Sequence, residues 1–230
     1  MKAIQIVRKE LEGKIPLIGF SGAPFTLASY IIEGGHSKNY ILTKSLMYQD
    51  RSTWDALMEK ISEVLIRYIN AQIRSGVQAL QVFDSWVGCL TPSDYEEYVL
   101  PYSKKVIEGV GTSVPIIHFA TSSATLLKLM KRAGGDVVGV DWRINIREAW
   151  ERIGYDVAIQ GNLDPVILFG PMDLIEREVK RILDCVEGRP GHIFNLGHGI
   201  LPNTPPDHVA ALVDAVHEFS SKFPFPPPKL

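Results

Sequence analysis

The sequence predicts an α/β domain built on a parallel sheet, and two observations support this prediction. First, six short apolar runs are separated by segments of helical periodicity, an order typical of strand–helix–strand crossovers. Second, each run is almost continuously apolar, as expected of a strand covered on both faces. We predict these strands at residues 15–20, 77–83, 115–119, 137–140, 157–160 and 193–196.

Helical segments fill the intervals between these runs. The clearest is 52–75, where apolar residues recur at three- and four-residue spacing and Ser52 is expected to cap the first turn. Thr91 and Asp164 each precede a proline, which suits a capping residue followed by the first helical position. We predict the other helices at residues 123–132, 145–153, 172–186 and 207–219, most of them ending at or near a glycine.

The same pattern indicates one domain over residues 1–222, followed by a proline-rich, extended tail over residues 223–230. Two architectures fit the strand–helix order. One is an open, doubly wound sheet, and the other is an eight-stranded barrel of which six strands are present. Strand periodicity alone leaves both open.

Composition excludes several classes of function. The chain has 24 Lys and Arg against 26 Asp and Glu, and the basic residues are scattered, so no basic face for nucleic acid is expected. No apolar run approaches the ~18 residues needed to span a bilayer, so we expect no membrane partner. Cys89 and Cys185 are far apart, which suits reduced thiols in a cytoplasm.

Polar residues follow every predicted strand, where the reactive groups of parallel α/β proteins gather. Together they predict a polar pocket without specifying a reaction. Each also has a structural explanation, such as a helix cap. No zinc-binding spacing such as His-Glu-x-x-His or Cys-x-x-Cys is present, so no metal is expected. The polar residues that follow the predicted strands are Ser21, Asp84, Ser85, His118, Asp141, Asn162, Asp164, Asn195 and His198.

Three segments resemble the uroporphyrinogen decarboxylase family. They are GAPFTLASYIIEGG at 22–35, FDSWVG at 83–88 with Leu-Pro-Tyr at 100–102, and NLGHGILP at 195–202. The resemblance implies a TIM-type (β/α)8 barrel, here incomplete with about six parallel strands. It also implies a cytoplasmic homodimer without a cofactor. The implied reaction converts the four acetate side chains of uroporphyrinogen III to methyls, giving coproporphyrinogen III in tetrapyrrole and heme biosynthesis.

The resemblance also assigns binding residues. Tyr30, Ser85 and His198 match the family's substrate-binding positions, and their O–H and N–H groups suit an anionic, carboxylated substrate. Phe83 is expected to offer an apolar wall to a pyrrole ring. The family's arginine-rich signature and central aspartate lie in an N-terminal region that this chain does not contain, so we assign no catalytic residue.

Two alternatives to a complete decarboxylase stay open. One follows from the absent N-terminal region and is a catalytically incompetent fragment, or a half-site that needs a separate N-terminal piece. The other is a cobamide-dependent methyltransferase relative that binds zinc through His-x-Cys and a later cysteine. Here the corresponding residues are His118-Phe119-Ala120 and Gly197-His198, which lack both cysteines.

Overall fold

A computed structural model describes residues 1–11, 13–35, 37–111 and 113–222. Helices and strands alternate along these residues, with two short 3₁₀ turns at Val87–Cys89 and Pro165–Phe169. The strands are β1 (Ile18–Gly22), β2 (Ala79–Phe83), β3 (Ile116–Phe119), β4 (Val137–Gly139), β5 (Ala158–Gln160) and β6 (His192–Ile193). The helices are α1 (Lys2–Glu10), α2 (Pro24–Glu33), α3 (Ile41–Gln49), α4 (Arg51–Arg74), α5 (Pro92–Tyr98), α6 (Leu100–Gly109), α7 (Leu127–Ala133), α8 (Ile146–Ile153), α9 (Met172–Val186) and α10 (Pro206–Ser220).

The order of strands in the sheet decides between the two predicted architectures. The sheet runs β1-β2-β3-β4-β5-β6, in chain order, and each of these strands overlaps a predicted one. β6 shares only Ile193 with the strand predicted at 193–196, because pairing beyond it is reduced to a single bridge between Leu163 and Leu196. A (β/α)8 barrel keeps its strands in chain order, whereas a doubly wound sheet reverses direction at a switch point. The TIM-barrel-like α/β fold with six parallel strands is therefore confirmed.

The chain divides into two compact units, Met1–Val138 and Gly139–Leu230, which we call unit 1 and unit 2. The predicted single domain over residues 1–222 stays a prediction. The predicted proline-rich tail at residues 223–230 lies outside the described residues.

In unit 1, β1, β2 and β3 pair in parallel. Their register aligns Phe83 with Phe119 and puts Phe20 on the same face of the sheet, because side chains alternate along a strand. Val82 lies beside His118 on the opposite face. One face of the unit 1 sheet therefore carries three phenylalanines, and the other carries a histidine.

Helix α4 packs against unit 1 through its buried residues, which include Trp54 and Gln72. Trp54 has no exposed surface, and its indole N–H donates to the Tyr98 carbonyl at 3.0 Å. The buried Gln72 amide exchanges two hydrogen bonds with the Phe20 backbone, at 2.9 and 3.2 Å. A buried amide satisfied in this way fixes β1 against α4.

Helix caps in unit 1 are partly as predicted. Thr91 caps α5 and forms a capping box with Asp94, as the Thr-Pro pattern predicts. The predicted cap at Ser52 is wrong. Asp50 caps α4, because its carboxylate accepts the Thr53 amide at 2.9 Å and so begins the helix one residue before Ser52.

Unit 2 has shorter strands. β5 and β6 pair in parallel over two residue pairs. Asn145 caps α8 by accepting the Arg147 amide at 2.9 Å, and α9 has the predicted bounds. Glu187, which precedes Gly188, has a left-handed backbone conformation and ends α9. Trp150 is buried and its indole N–H donates to the Val157 carbonyl at 2.9 Å, which fixes α8 to the residue that directly precedes β5.

Candidate functional site

Three of the four predicted binding residues lie at the carboxyl ends of the unit 1 strands. Phe83 ends β2, Ser85 follows two residues later, and Tyr30 lies in the second turn of α2, directly after β1. The Ala23 amide at the start of α2 donates to the Phe83 carbonyl at 2.8 Å. This bond fixes α2 to the end of β2, and we call the region of Tyr30, Phe83 and Ser85 the β1–β3 edge.

An aromatic row, consisting of Phe20, Phe83 and Phe119, runs across the strands toward this edge. The ring centroids of Phe20 and Phe83 are 6.1 Å apart, and those of Phe83 and Phe119 are 5.7 Å apart, both pairs edge to face. Phe20 is 64% exposed, so part of the row is open to a ligand. Such rings offer an apolar surface to a flat aromatic molecule.

A second aromatic group surrounds Tyr30. The Trp86 ring lies 5.9 Å from Tyr30 and 5.8 Å from Tyr40, measured between centroids. Tyr30 is 46% exposed. Burial raises the pKa of Tyr40, so its hydroxyl stays protonated at neutral pH. Phenolic O–H groups in this position can donate hydrogen bonds to carboxylates.

The backbone around Ser85 is fixed by hydroxyl groups from two neighbouring elements. The Thr121 hydroxyl, beyond β3, donates to the Ser85 carbonyl at 2.6 Å. The Trp86 amide donates to the Thr26 hydroxyl of α2 at 3.5 Å. A Cβ on Gly88 would lie 2.6 Å from the Thr121 carbonyl, so this close approach requires glycine. Ser85 is therefore positioned by both strand neighbours.

Lys44 brings a cation close to the segment that follows Ser85. Its ammonium group donates to the Cys89 carbonyl at 3.0 Å. Burial raises the pKa of the Cys89 thiol, which keeps it neutral and unsuited to nucleophilic chemistry.

Asp84 and His118 are among the residues predicted to form a polar pocket, but the structure buries both of them. Both side chains are fully buried, with Asp84 Oδ2 3.6 Å from His118 Nε2. His118 belongs to the sheet face opposite the aromatic row, because it aligns with Val82. The Ser103 hydroxyl of α6 donates to the same carboxylate at 3.3 Å. This buried pair therefore lies behind the β1–β3 edge.

In unit 2, Asp141 and Asn162 are buried and serve the local structure. The Asp141 carboxylate pairs with the Arg143 guanidinium and also accepts the Arg143 amide at 3.2 Å. The Asn162 amide donates to the carbonyls of Asp141 and Ile144, at 2.9 and 2.7 Å. These bonds fix the loop after β4 against the end of β5.

His198 lies on an exposed loop of unit 2, where Nδ1 is 3.4 Å from the Gly199 carbonyl. Gly197 fixes this loop, because its amide donates to the Leu163 carbonyl at 2.7 Å and a Cβ there would lie 2.7 Å from the Trp142 amide nitrogen. The Arg143 guanidinium lies 4.2 Å from the Trp142 ring centroid. Gly197 and Arg143 therefore both contact Trp142 on the same loop segment.

The remaining polar residues at strand ends have structural roles. Asp164 caps the Pro165–Phe169 turn by accepting the Val166 amide at 2.9 Å. Ser21 is buried and donates to the Gly22 carbonyl at 3.1 Å. The Asn195 side chain accepts the amide of the next residue at 2.9 Å. These three residues are therefore explained by their local hydrogen bonds.

Sequence reasoning missed three residues that complete these surfaces. Phe20 extends the aromatic row, Trp86 contacts Tyr30, and Arg143 supplies a cation in unit 2. Trp86 stands inside the quoted FDSWVG motif, so an aromatic residue next to a polar strand end is the signal that could have found it.

The described parts of the chain contain neither a metal-binding cluster nor a membrane-spanning helix. Among these residues, no group of three or more His, Cys, Asp or Glu side chains is arranged to hold a metal ion. None of the described helices is long and apolar enough to cross a membrane.

Comparison with curated proteins shows the relatives of this chain. It is 57% identical over 222 residues to a uroporphyrinogen decarboxylase of Carboxydothermus hydrogenoformans, covering 96% of this chain and 63% of the relative. It is 53% identical over 223 residues to a uroporphyrinogen decarboxylase of Geobacter sp. (strain M21), covering 96% of this chain and 66% of the relative. The chain thus spans just under two thirds of the length of these relatives.

A solved structure and a family model complete the comparison. A methyltransferase from Methanosarcina mazei superposes with a TM-score of 0.78 at 25% identity, covering 95% of this chain and 63% of that one. The model of the uroporphyrinogen decarboxylase (URO-D) family matches residues 1–219. The chain therefore belongs to the uroporphyrinogen decarboxylase family, as its three motifs predict.

Proposed function

We propose that this chain decarboxylates the four acetate side chains of uroporphyrinogen III to give coproporphyrinogen III in heme biosynthesis. The observation that carries the proposal is the β1–β3 edge, where an open aromatic row meets the hydroxyl-bearing residues Tyr30 and Ser85. Its relatives at 57% and 53% identity are named uroporphyrinogen decarboxylases. An apolar wall beside hydroxyl donors matches a tetrapyrrole whose individual pyrrole rings are apolar and whose side chains carry carboxylates.

Binding would divide between apolar and polar contacts. A pyrrole ring would lie against Phe83 in the aromatic row, while Tyr30 and Ser85 donate hydrogen bonds to acetate or propionate oxygens. His198, on its exposed loop in unit 2, is proposed separately as a residue that binds a substrate carboxylate. These contacts orient the substrate but do not themselves break a bond.

The reaction needs an electron sink, which the substrate supplies. Protonation of a pyrrole makes a cationic ring, the bond between the acetate methylene and its carboxylate breaks, and the electron pair enters the ring as CO₂ leaves. The exocyclic carbon is then protonated to a methyl, and the ring releases the proton that it took up, so each acetate consumes one proton and releases one CO₂. The work of the protein is to hold the carboxylates, exclude water and stabilise the cationic ring.

Neither buried aspartate is suited to face the pyrrole nitrogens. Asp84 is fully buried and lies against His118, on the sheet face away from the aromatic row. Asp141 is 2% exposed, and Arg143 already occupies its carboxylate. We therefore leave the acid unassigned within this chain.

The setting of the enzyme is part of the proposal. A cytoplasmic location follows the family resemblance and the separated cysteines Cys89 and Cys185. A homodimer follows the resemblance alone.

The two alternatives have less support. The comparisons lend none to a catalytically incompetent piece. The zinc and cobamide alternative needs a cysteine two residues after His118, and Ala120 stands there, buried. The Methanosarcina mazei neighbour is named a methyltransferase, and at 25% identity we take from it only the fold.

The test is an anaerobic assay of the purified chain with uroporphyrinogen III, in which products are separated by their number of carboxyl groups. We expect stepwise loss of carboxyl groups, ending with four removed, and one CO₂ released for each. Ser85→Ala should slow product formation at least about tenfold, whereas the exposed Ser52→Ala serves as the matched control. Absence of product together with absence of uroporphyrin binding would contradict the proposal.

A further inference from the structure

The buried side chains behind the β1–β3 edge are the strongest feature that the proposed function leaves unused. Asp84 and His118 have no exposed surface. Within the described residues, Asp84 Oδ1 and both ring nitrogens of His118 lack a hydrogen-bond partner by the usual distance limit. Fully buried polar groups are nearly always satisfied, so the presence of this pair requires an explanation.

Asp84 is anchored on three sides. Its amide donates to the Phe119 carbonyl of β3 at 2.7 Å, and its carboxylate accepts the Ser103 hydroxyl of α6 at 3.3 Å. His118 Nε2 lies 3.6 Å from the same carboxylate oxygen, close enough to form a hydrogen bond after a shift of a few tenths of an ångström. Burial and the nearby Asp84 carboxylate raise the pKa of Tyr95 well above its ordinary value, so the hydroxyl of Tyr95 stays neutral.

The residues that follow Asp84 carry the candidate binding surface. Ser85 is the next residue, and Trp86 contacts the Tyr30 ring at 5.9 Å. The Val87 amide donates to the Asp84 carbonyl at 3.4 Å, which starts the Val87–Cys89 turn. A shift of the Asp84 backbone would therefore move Ser85 and Trp86 with it.

We propose that the buried Asp84–His118 pair is a positioning device, which holds Ser85 and Trp86 in the arrangement that binds a carboxylated tetrapyrrole. The ligand named in this inference rests on the proposed function, whereas the positioning of Ser85 and Trp86 by the pair does not. Both residues act through Ser85 and Trp86, on the opposite face of the sheet from the aromatic row. They are positioning residues, not catalytic ones.

The first readout needs no ligand. In His118→Gln and Asp84→Asn, amide hydrogen exchange in residues 85–90 should accelerate at least about tenfold, while peptides from β1 and α4 change little. His217→Gln, on the exposed last turn of α10, is the matched control for the histidine. A purely structural role would instead accelerate exchange throughout unit 1, and that result would overturn the proposal.

The second readout is the affinity for uroporphyrin, measured by quenching of tryptophan fluorescence. Each single variant should bind about tenfold more weakly than the wild type. The double variant with Asp84→Asn and His118→Gln should lose less than the product of the two single losses, because the two residues act as one unit. Multiplicative losses would show that the two residues act separately.

Milder and control variants keep the test decisive. If His118→Gln does not fold, Ser103→Ala removes only the hydroxyl bond to Asp84 and should produce the same local exchange pattern in smaller degree. Unchanged amide exchange in residues 85–90 of the variants overturns the positioning role, whatever their affinity for uroporphyrin. If the local exchange changes as expected but the wild type binds no uroporphyrin, the proposed function fails and the ligand half of this inference fails with it.

Discussion

Unit 1 and unit 2 hold the ends of their strands by different means. In unit 1, strands of four or five residues pair over a continuous register, and the ends are anchored from behind by the Asp84–His118 pair. In unit 2, β5 and β6 pair over only two residue pairs. The strand ends there depend on the Asn162 side chain and on the close approach of Gly197 to Trp142.

This difference predicts which substitutions each unit tolerates. A backbone ladder survives the loss of a surface side chain, but removal of one member of a fully buried polar pair leaves other buried polar groups without a neighbour and is costly. In unit 2, where Asn162 and Gly197 hold the strand ends, substitutions at these two positions should be destabilising and substitutions elsewhere in the loops should be tolerated.

Removal of the buried carboxylate in unit 1 should be the most damaging change. Asp84→Ala leaves the buried Ser103 hydroxyl without its acceptor and His118 without its acidic neighbour. At about 1–3 kcal/mol for each buried polar group, it should cost about 2–6 kcal/mol in the free energy of unfolding. Asp141→Ala in unit 2 should cost about 1–3 kcal/mol, because Arg143, its partner, is half exposed and can turn to solvent. Urea denaturation of the two variants measures both costs. Equal costs would remove the contrast between the units.

The Gly-His-Gly loop of unit 2 offers a matched pair of substitutions. In Gly197→Ala the new methyl would lie 2.7 Å from the Trp142 amide nitrogen and 3.0 Å from the Asp141 Cα, which are backbone atoms. We expect a loss of about 1–3 kcal/mol and weaker uroporphyrin binding, because His198 moves with the loop. Gly199→Ala meets no atom within 4 Å and should behave like the wild type. Equal stability and affinity in the two variants would show that the loop is not held by Gly197.

Acidification should weaken unit 2 through His192. Burial lowers the pKa of His192 below its ordinary value of 6.5, although its ring also bonds to the Gly161 carbonyl at 2.8 Å. The unfolded chain therefore takes up a proton near pH 6.5 while the folded chain does not, so stability is lost as the pH falls below 6.5.

The matched variant is His192→Gln, which keeps an N–H donor but cannot titrate. The decrease in melting temperature from pH 7.5 to pH 5.5 should be slightly larger for the wild type than for this variant. A drop of equal size in both proteins would show that His192 does not contribute to the pH dependence.

The fold could be predicted from sequence because its signals are local. The six apolar runs, the Thr91 cap and the bounds of α9 each follow from neighbouring residues. The Ser52 cap is wrong because two capping residues, Asp50 and Ser52, stand two positions apart and both suit the role. Only the hydrogen bond to Thr53 decides between them.

The candidate site is less predictable, for a physical reason. The run at residues 115–119 is apolar on both faces except for His118, so periodicity does not say which face His118 occupies. Its pairing with Asp84 depends on the β2–β3 register, which is set by contacts distant in the chain. The family resemblance supplied Tyr30, Phe83, Ser85 and His198, and only the structure shows that the first three share one edge.

The central claim is that the β1–β3 edge binds a carboxylated tetrapyrrole, and titration with uroporphyrin tests it most directly. Tyr30→Phe and Ser85→Ala should each weaken binding about tenfold at unchanged melting temperature, because Tyr30 is half exposed and each variant loses only a hydroxyl. Tyr68→Phe, on the exposed surface of α4, should bind like the wild type. Wild-type affinity in both edge variants would contradict the claim.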